Sequence, residues 1–163
     1  YSGAPATVLS GLGHLEGKTV KVVSNGALHP DCVVTAGAIT LNASTTSAWV
    51  GLSYTSRLRT LKPEIPAASG TVQGKTKRVS RVTIRVLNSL GGKVSDEDED
   101  VWENLLHRDM ADLMNSAPKL KSGDYDVDLS SDYGTGARIV VLQPDPLPLD
   151  ILCVMPGITV SEG

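Results

Sequence analysis

Two acidic segments are the first places where residue types and spacing could bind a metal ion. Ser95–Asp100, with the sequence SDEDED, carries five consecutive carboxylates, and Asp124–Asp128, DYDVD, carries three at alternate positions. A calcium loop of the second kind needs a glycine at its sixth position and a glutamate at its twelfth. Those positions hold Leu129 and Thr135, and no glycine turns the first segment. The sequence therefore predicts solvated acidic faces and no metal site.

Histidines close to carboxylates are the candidates for acid–base catalysis. His29 lies two residues before Asp31, and His107 lies two residues before Asp109. Neither pair is accompanied by the strained serine turn or activated cysteine that nucleophilic catalysis requires. The histidines also lack zinc-ligand spacing, and Gly134-Thr135-Gly136 lacks the third glycine of a dinucleotide-binding loop. We therefore expect a protein that is not an enzyme and that uses no cofactor.

Basic residues concentrate in one stretch of the chain. Interpreted as a site, this stretch is a strip that contacts nucleic-acid phosphates or an acidic partner. The favoured alternative is an exposed strand face whose charges maintain solubility and protect a sheet edge. No aromatic residue that could stack on a single-stranded base lies beside the strip. The candidate contact residues are Lys75, Lys77, Arg78, Arg81 and Arg85.

Composition limits the classes of partner. The chain has 163 residues and a net charge of −3, so its average surface does not attract nucleic acid or an anionic membrane. No apolar run approaches the ~20 residues of a membrane-spanning helix. Aromatic residues make up 4% of the chain and Phe is absent, so Val, Leu, Ile and Ala must form the core. Cys32 and Cys153 lack partner spacing, which favours two isolated buried thiols over a disulfide.

Short strands separated by turn residues predict a mainly β protein with small β-barrel or sandwich domains. The clearest strand is Arg78–Leu87, where apolar and polar residues alternate. Asn25-Gly26 predicts a two-residue hairpin, because both residues tolerate a positive φ. The polar segment 42–47 predicts a loop. The residues of the clearest strand that we expect to face the core are Val82, Ile84 and Val86.

One short helix is predicted near residues 97–106. Ser95 and Asp98 resemble a capping box, and acidic residues in a first helical turn interact favourably with the helix dipole. Apolar residues then recur at helical spacing. These residues are Val101, Trp102, Leu105 and Leu106.

The segment QPDPLPLDILCVMPG, residues 143–157, begins with prolines at alternate positions, 144, 146 and 148. In an extended strand, alternate N–H groups point to the same side, so these prolines would remove the donors from one side only. Such a strand pairs with one neighbour and resists a second. We expect an extended proline segment here, followed by an apolar strand that is free to enter the core.

The prolines and glycines of residues 63–74 suggest a division of the chain into two parts. We predict a hairpin-rich, small barrel-like β domain over residues 1–66. A second β domain over residues 67–163 contains the short helix and the C-terminal strand that follows the prolines. One merged domain, or a fragment of a longer chain, is the alternative.

Two stretches go beyond a generic β pattern. They are LSGLGHLEGKTVKVVSNGALHPDCVVTAGAITL with AWVGLSYTSRLRTLKPE, and LKSGDYDVDLSSDYGTGARIVVLQPDPLPLDILCVMPGI. Together they resemble the C-terminal part of the tail nozzle proteins, also called tail tubular protein B, of short-tailed bacteriophages. The shared elements are the opening Gly11–Val20, Asn-Gly before His-Pro-Asp, the strand Val50–Ser56, and the closing Gln143–Leu149. Residues 89–117 are not diagnostic.

The resemblance implies a virion structural protein of the phage tail, made in the cytoplasm of the host bacterium. Six copies would form a tube below the tail adaptor, contact other tail proteins, and line or close the channel for DNA ejection. Genomic double-stranded DNA would pass through without specific binding. No catalytic residue is implied.

Two other classes of function are the alternatives. One is a β-rich binding module of a phage fibre or baseplate, or a carbohydrate-binding or host-surface-binding domain. The aromatic residues are the candidates for a sugar platform in that class, although core and turn positions are commoner for residues so scattered. The other class is an enzyme that hydrolyses the host envelope. The aromatic candidates are Trp49, Tyr54, Trp102, Tyr125 and Tyr133.

Overall fold

The computed structural model describes residues 1–64, 71–105, 110, 112–113 and 116–161. Strands make up 56% of the chain and helix 2%, which confirms the prediction of a mainly β, sandwich-like fold. The strands form three antiparallel sheets, and within the described residues none of them closes into a barrel. The described part of the chain contains no helix long and apolar enough to cross a membrane.

Eleven strands and one 3₁₀ turn, Gly13–Leu15, are described. The strands are β1 Ser2–Ser10, β2 Thr19–Ser24, β3 Ala27–Val33, β4 Ala38–Gly51, β5 Ser56–Arg59, β6 Lys77–Ser89, β7 Lys93–Ser95, β8 Glu103–Asn104, β9 Lys121–Asp128, β10 Val140–Gln143 and β11 Asp150–Val160. They divide between two compact units. The first contains residues 1–55, 108–119 and 144–147, and the second contains 56–107, 120–143 and 148–163. The predicted boundary at residue 66 lies outside the described residues and stays a prediction.

The first unit is built on one sheet with strand order β1-β4-β2-β3. The predicted hairpin is confirmed, because Ser24 pairs with Ala27 while Asn25 and Gly26 have φ values of 48° and 82°. The predicted loop at 42–47 is wrong, since these residues lie inside β4, where Thr45 and Ser47 pair with β1. The inner face of the sheet buries Leu9, Val20, Val22, Val34, Ile39, Leu41 and Ala48.

The second unit is a sandwich of two sheets, with orders β5-β10-β7-β8 and β11-β6-β9. Both sheets contribute to one core, and the predicted inward residues of β6 are in it. That core buries Val79, Val82, Ile84, Val86, Val94, Leu105, Val127, Leu129, Ile139 and Val141.

A bulge interrupts the alternation of β6 near its start. Arg81 pairs with Gly157 of β11, but the next pair is Val79 with Ile158, so Ser80 is an extra residue in β6. The bulge reverses the faces of the residues before it. Val79 and Lys77 are therefore buried, although strict alternation from Arg81 predicts that both are exposed.

The predicted helix near 97–106 is wrong over residues 97–105, and residue 106 lies outside the described residues. Residues 97, 98, 100 and 101 are bends, and β8 follows and pairs with β7. The Ser95 hydroxyl donates to the carbonyl of Val101 instead of capping a helix. Asp96 accepts the N–H groups of Asp98 and Glu99, which closes a local turn in place of a first helical turn.

The proline segment is not an extended strand, so that prediction is wrong. Residues 145–147 form a bend, in which the N–H of Leu147 donates to the carbonyl of Asp145. The apolar strand that follows is present as β11, but it is an edge strand rather than a core strand. Its half-buried residues Ile151, Val154 and Ile158 pack on the core of the second unit. Pro156 is tolerated in β11 because an edge strand can lack a donor on one side.

Both cysteines are free. Cys32 is half-buried in the first unit, and burial raises the pKa of its thiol. Cys153 is exposed on β11 in the second unit. The prediction that both thiols are buried is therefore wrong for Cys153.

Candidate functional site

The five basic residues of the predicted strip do not share one exposed surface. Lys77 is 0% exposed, and its Nζ donates to the carbonyl of Val72 at 2.9 Å. Lys75 is half-buried, and Arg78 is exposed with its guanidinium 5.5 Å from the ring centre of Tyr133. Only Arg81 and Arg85 lie together on the outer face of the β11-β6-β9 sheet. Contact of any of the five with nucleic acid stays a prediction.

Arg81 and Arg85 are compensated by the carboxylates of the neighbouring strand. Register places Arg85 opposite Asp124 and Arg81 opposite Asp128. Arg85 donates through Nε and Nη2 to the two oxygens of Asp124, at 2.6 and 2.8 Å. Arg81 donates through Nε to Asp128 at 2.9 Å. The second acidic segment of the sequence is therefore the partner of Arg81 and Arg85, and we call this array the charge ladder.

The ladder changes the ionisation of its members. The hydrogen bond from Arg85, and then its positive charge, hold the pKa of Asp124 below the usual aspartate range. The hydrogen bond to Asp124 raises the pKa of Arg85, and the bond to Asp128 raises that of Arg81. All three groups are exposed, so solvent screening keeps their contribution to stability small. The ladder attracts a polyanion weakly, because each Arg already has a carboxylate partner.

Replacing Arg85 with glutamine should raise the pKa of Asp124 towards the ordinary aspartate value. The variant loses the charge-assisted hydrogen bonds that favour the ionised carboxylate. A carboxyl NMR titration of the side chain measures this pKa directly. The stabilisation that Asp124 provides is present above its unfolded pKa and is lost as the pH falls through its folded pKa, and the variant should lack this loss.

The matched control is Arg81→Gln, which removes the same charge from the same strand face. Arg81 contacts Asp128 and Asp126, not Asp124. The pKa of Asp124 should therefore stay lowered in the control. An equal rise in both variants would contradict the pairing that the register indicates.

Two carboxylates of the first acidic segment pair with arginines from distant parts of the chain. Arg57 pairs with Glu99, and Arg59 Nη2 lies 3.1 Å from Glu97. Arg138 approaches the same Glu97 oxygen at 3.8 Å. Burial raises the pKa of Asp96. Within the described part of the chain, His, Cys, Asp and Glu side chains form no group of three that could hold a metal ion.

A pocket of about 200 Å³ lies beside this segment in the second unit. Its wall combines the acidic residues 96–98 with residues 134–137 and Lys77. Gly136 lies so close to the Glu97 carboxylate that a Cβ would require this side chain to move. Two of these acidic groups are engaged, because Asp96 accepts backbone N–H groups and Glu97 pairs with arginines.

Three polar residues of the nozzle-like motifs serve the backbone of the first unit. Glu16 accepts the N–H groups of Ala36 and Gly37 at 2.8 and 2.6 Å. His29 Nδ1 donates to the carbonyl of Pro30 at 2.7 Å, and its Nε2 accepts the N–H of Asn42 at 3.0 Å. This pattern assigns the neutral Nδ1–H tautomer.

Asn25, the third motif residue, serves as an acceptor for the middle of β4. Its Oδ1 accepts the N–H groups of Thr46 and Ser47, both at 3.1 Å. It also accepts the hydroxyls of Thr45 at 3.0 Å and Thr46 at 3.1 Å. The motifs therefore place hydrogen-bond acceptors where a strand turns or where its backbone N–H groups lack a partner in a neighbouring strand.

Of the two histidine–carboxylate pairs, only His29 and Asp31 lie within the described residues, and these two side chains bind different partners. His29 is engaged with the backbone, and Asp31 instead binds Lys21, with Nζ–Oδ1 at 3.0 Å. His107 and Asp109 lie outside the described residues.

The aromatic candidates divide between the two units. Trp49 and Tyr54 are highly exposed in the first unit. In the second unit, Tyr125 is half-buried against the core and Trp102 is also half-buried. The exposed Tyr133 contacts Arg78. The first unit therefore holds two of the five candidates, and the second unit holds three.

An ion triad in the first unit was not found by sequence reasoning. Lys21 Nζ lies 3.0 Å from Asp31 and 3.5 Å from Asp145. The hydrogen bond to Asp31 is the main cause of the raised pKa of Lys21. Asp145 is separated from Lys21 by 124 positions, so no local spacing could indicate this contact.

The likeness to tail nozzle proteins depends on motifs alone. The chain matches no protein-family model, and no curated protein matches it significantly.

Proposed function

We propose that the chain is a structural component of a bacteriophage tail, where six copies assemble into a nozzle that lines or closes the DNA ejection channel. Its location would be the virion, next to the tail adaptor and other tail proteins. Double-stranded DNA would pass without specific binding.

The observation that carries the proposal is the use of the motif residues. Glu16, Asn25 and His29 belong to the segments that resemble the nozzle family, and each accepts backbone N–H groups. A motif that serves a reaction would direct such groups at a substrate instead. Their use as backbone acceptors supports a scaffolding role.

Edge chemistry supports assembly through β1. Ser2–Ser10 contains no charged side chain, its one proline is Pro5, and among the described residues it pairs only with β4. The other long edges carry charges that hinder pairing, namely Asp31 in β3, Asp150 in β11 and the carboxylates of β9. An uncharged edge is the one suited to accept a strand from another copy.

The charge distribution supports passive passage of DNA. The net charge is −3. Four arginines of β5 and β6 are paired with carboxylates, namely Arg57, Arg59, Arg81 and Arg85. Arginines that already have carboxylate partners bind phosphates weakly, so the duplex could slide past them.

The test is the mass of the assembled protein. Light scattering coupled to gel filtration should give about 103 kDa, six times the 17.1 kDa of the chain, and electron microscopy should show rings. Val8→Lys should dissociate the rings, because it places a charge on the β1 edge.

Val33→Lys is the matched control. Val33 is 57% exposed and Val8 is 55% exposed, but Val33 lies in β3, which already carries the charge of Asp31. This control should leave the rings intact. A wild-type chain that stays monomeric at high concentration would contradict the proposal.

A further inference from the structure

Trp49 is unusually exposed for a tryptophan, which has the largest side chain of the amino acids. It lies on β4 with 78% of its surface exposed. Its neighbours Ala48 and Val50 point to the core side of the sheet. Trp49 therefore lies on the outer face of the sheet in the first unit, and its side chain is not part of the hydrophobic core.

Cross-strand pairing defines what surrounds the indole ring. Val23 of β2 lies directly opposite Trp49, and Leu28 of β3 lies opposite Val23. Residues opposite one another share a sheet face, so these three side chains form one apolar row. Val23 is buried within that row, whereas Leu28 and Trp49 remain exposed.

The next cross-strand pair on the same face is Gly51 with Lys21, and it leaves open space at the glycine. Around the position where a Cβ on Gly51 would stand, no atom beyond Gly51 and its two chain neighbours lies within 4 Å. Lys21 holds Asp31 and Asp145 in the ion triad. The open position therefore lies between the indole ring and a set of strong hydrogen-bonding groups.

The separation of these groups suits one sugar ring. Trp49 and Lys21 are diagonal neighbours on adjacent strands, a relation that places residues ~7–8 Å apart. An exposed indole stacks on the apolar C–H face of a pyranose, and its hydroxyls can reach charged donors and acceptors at the ring edge. We propose that Trp49, the open position at Gly51 and the Lys21–Asp31–Asp145 triad form a binding site for a neutral hexopyranose sugar.

The charge of the triad decides the class of sugar. One lysine and two aspartates carry a net charge of −1, so uronic and sialic acids are repelled. Neutral hexoses lack this penalty, and their hydroxyls both donate and accept.

A protein partner fits this surface less well. Its apolar row has only two exposed large side chains, Trp49 and Leu28. A stable protein interface buries ~800 Å² on each partner, far more than such a row supplies. The site is independent of tail assembly, since it involves neither the β1 edge nor the charge ladder.

The two tryptophans of the chain make the test specific. With Trp49 and Trp102 as the only indoles, a ¹⁵N-labelled protein gives two indole N–H signals, and Trp49→Phe assigns them. Cellobiose, lactose, maltose and N,N′-diacetylchitobiose are titrated separately, with glucuronic acid as the charged control. At least one neutral sugar should shift the Trp49 signal saturably, while Trp102 and the glucuronic acid titration stay unchanged.

A second variant separates a built site from simple stacking. Lys21→Met keeps the aliphatic stem but removes the ammonium group that organises the triad, and it should weaken binding at least tenfold. Equal binding by wild type and Lys21→Met would overturn the proposal, since the ring alone would then suffice. The absence of a saturable Trp49 shift with all four neutral sugars would also overturn it. The mass measurement above is unaffected by either result, so the two proposals can fail separately.

Discussion

Replacing Ile84 with alanine is expected to lower the free energy of unfolding of the second unit by about 2–5 kcal/mol. Ile84 is fully buried at the centre of β6, the strand that pairs with both β11 and β9. Deleting three methyl or methylene groups there removes apolar burial and leaves a cavity. Neighbours on two hydrogen-bonded sides restrict the relaxation that could fill this cavity. A loss of this size is a large fraction of the stability of an ordinary domain.

Urea unfolding followed by tryptophan fluorescence measures this change. The Trp49→Phe background leaves Trp102, which lies in the second unit, as the only reporter. Separate reporters matter because two units need not unfold in one transition. Leu152→Ala is the matched control, since Leu152 lies in β11 of the same sheet and is 60% exposed. If both variants cost the same, Ile84 would not be a core residue.

The inward position of Ile84 could be predicted from the sequence, because alternation in a strand is a local property. The register of its partners could not. The extra residue Ser80 reverses the faces before it, and this turns Lys77 from a predicted surface charge into a buried donor. Bulges depend on the pairing of distant strands, here β11, and leave no clear local pattern.

In the acidic segment Ser95–Asp100, by contrast, the local sequence pattern predicts the wrong structure. Its composition suits a helix start, but the groups that satisfy Glu97 and Glu99 come from Arg57, Arg59 and Arg138. These contacts favour the bent form of the segment, and β8 then pairs with β7. Tertiary interactions outweigh a helix propensity that amounts to tenths of a kcal/mol per residue.

Single residues of the candidate sites could be predicted from the sequence, but the partners that surround them could not. Trp49 was identified as a possible sugar contact, and Arg81 and Arg85 as possible anion contacts. The partners that give these residues a chemical context, the Lys21 triad and the β9 carboxylates, depend on strand order. Composition predicts a loop at residues 42–47 for the same reason, since it omits the acceptor that Asn25 supplies from another strand.

Replacing Asn25 with alanine is expected to destabilise the first unit by about 2–4 kcal/mol. One part is conformational, since Asn25 has a φ of 48° and an ordinary L-residue pays about 1–2 kcal/mol there. The other part is the loss of the acceptor for Thr45, Thr46 and Ser47, at about 0.5–1.5 kcal/mol for each net hydrogen bond. Solvent replaces some of these bonds because Thr46 and Ser47 are exposed, which sets the upper limit.

Two further substitutions separate the contributions. Asn25→Gly removes the acceptor but accepts a positive φ, so it should cost less than the alanine variant. Asn25→Asp keeps an acceptor oxygen at the same position and should cost least. Urea unfolding in the Trp102→Phe background, where Trp49 reports on the first unit, gives the three values. The order Asp, Gly, Ala in increasing cost is the expected result. An alanine variant as stable as wild type would mean that β4 holds its strand through residues 45–47 without Asn25, and that this motif residue has a use other than the fold.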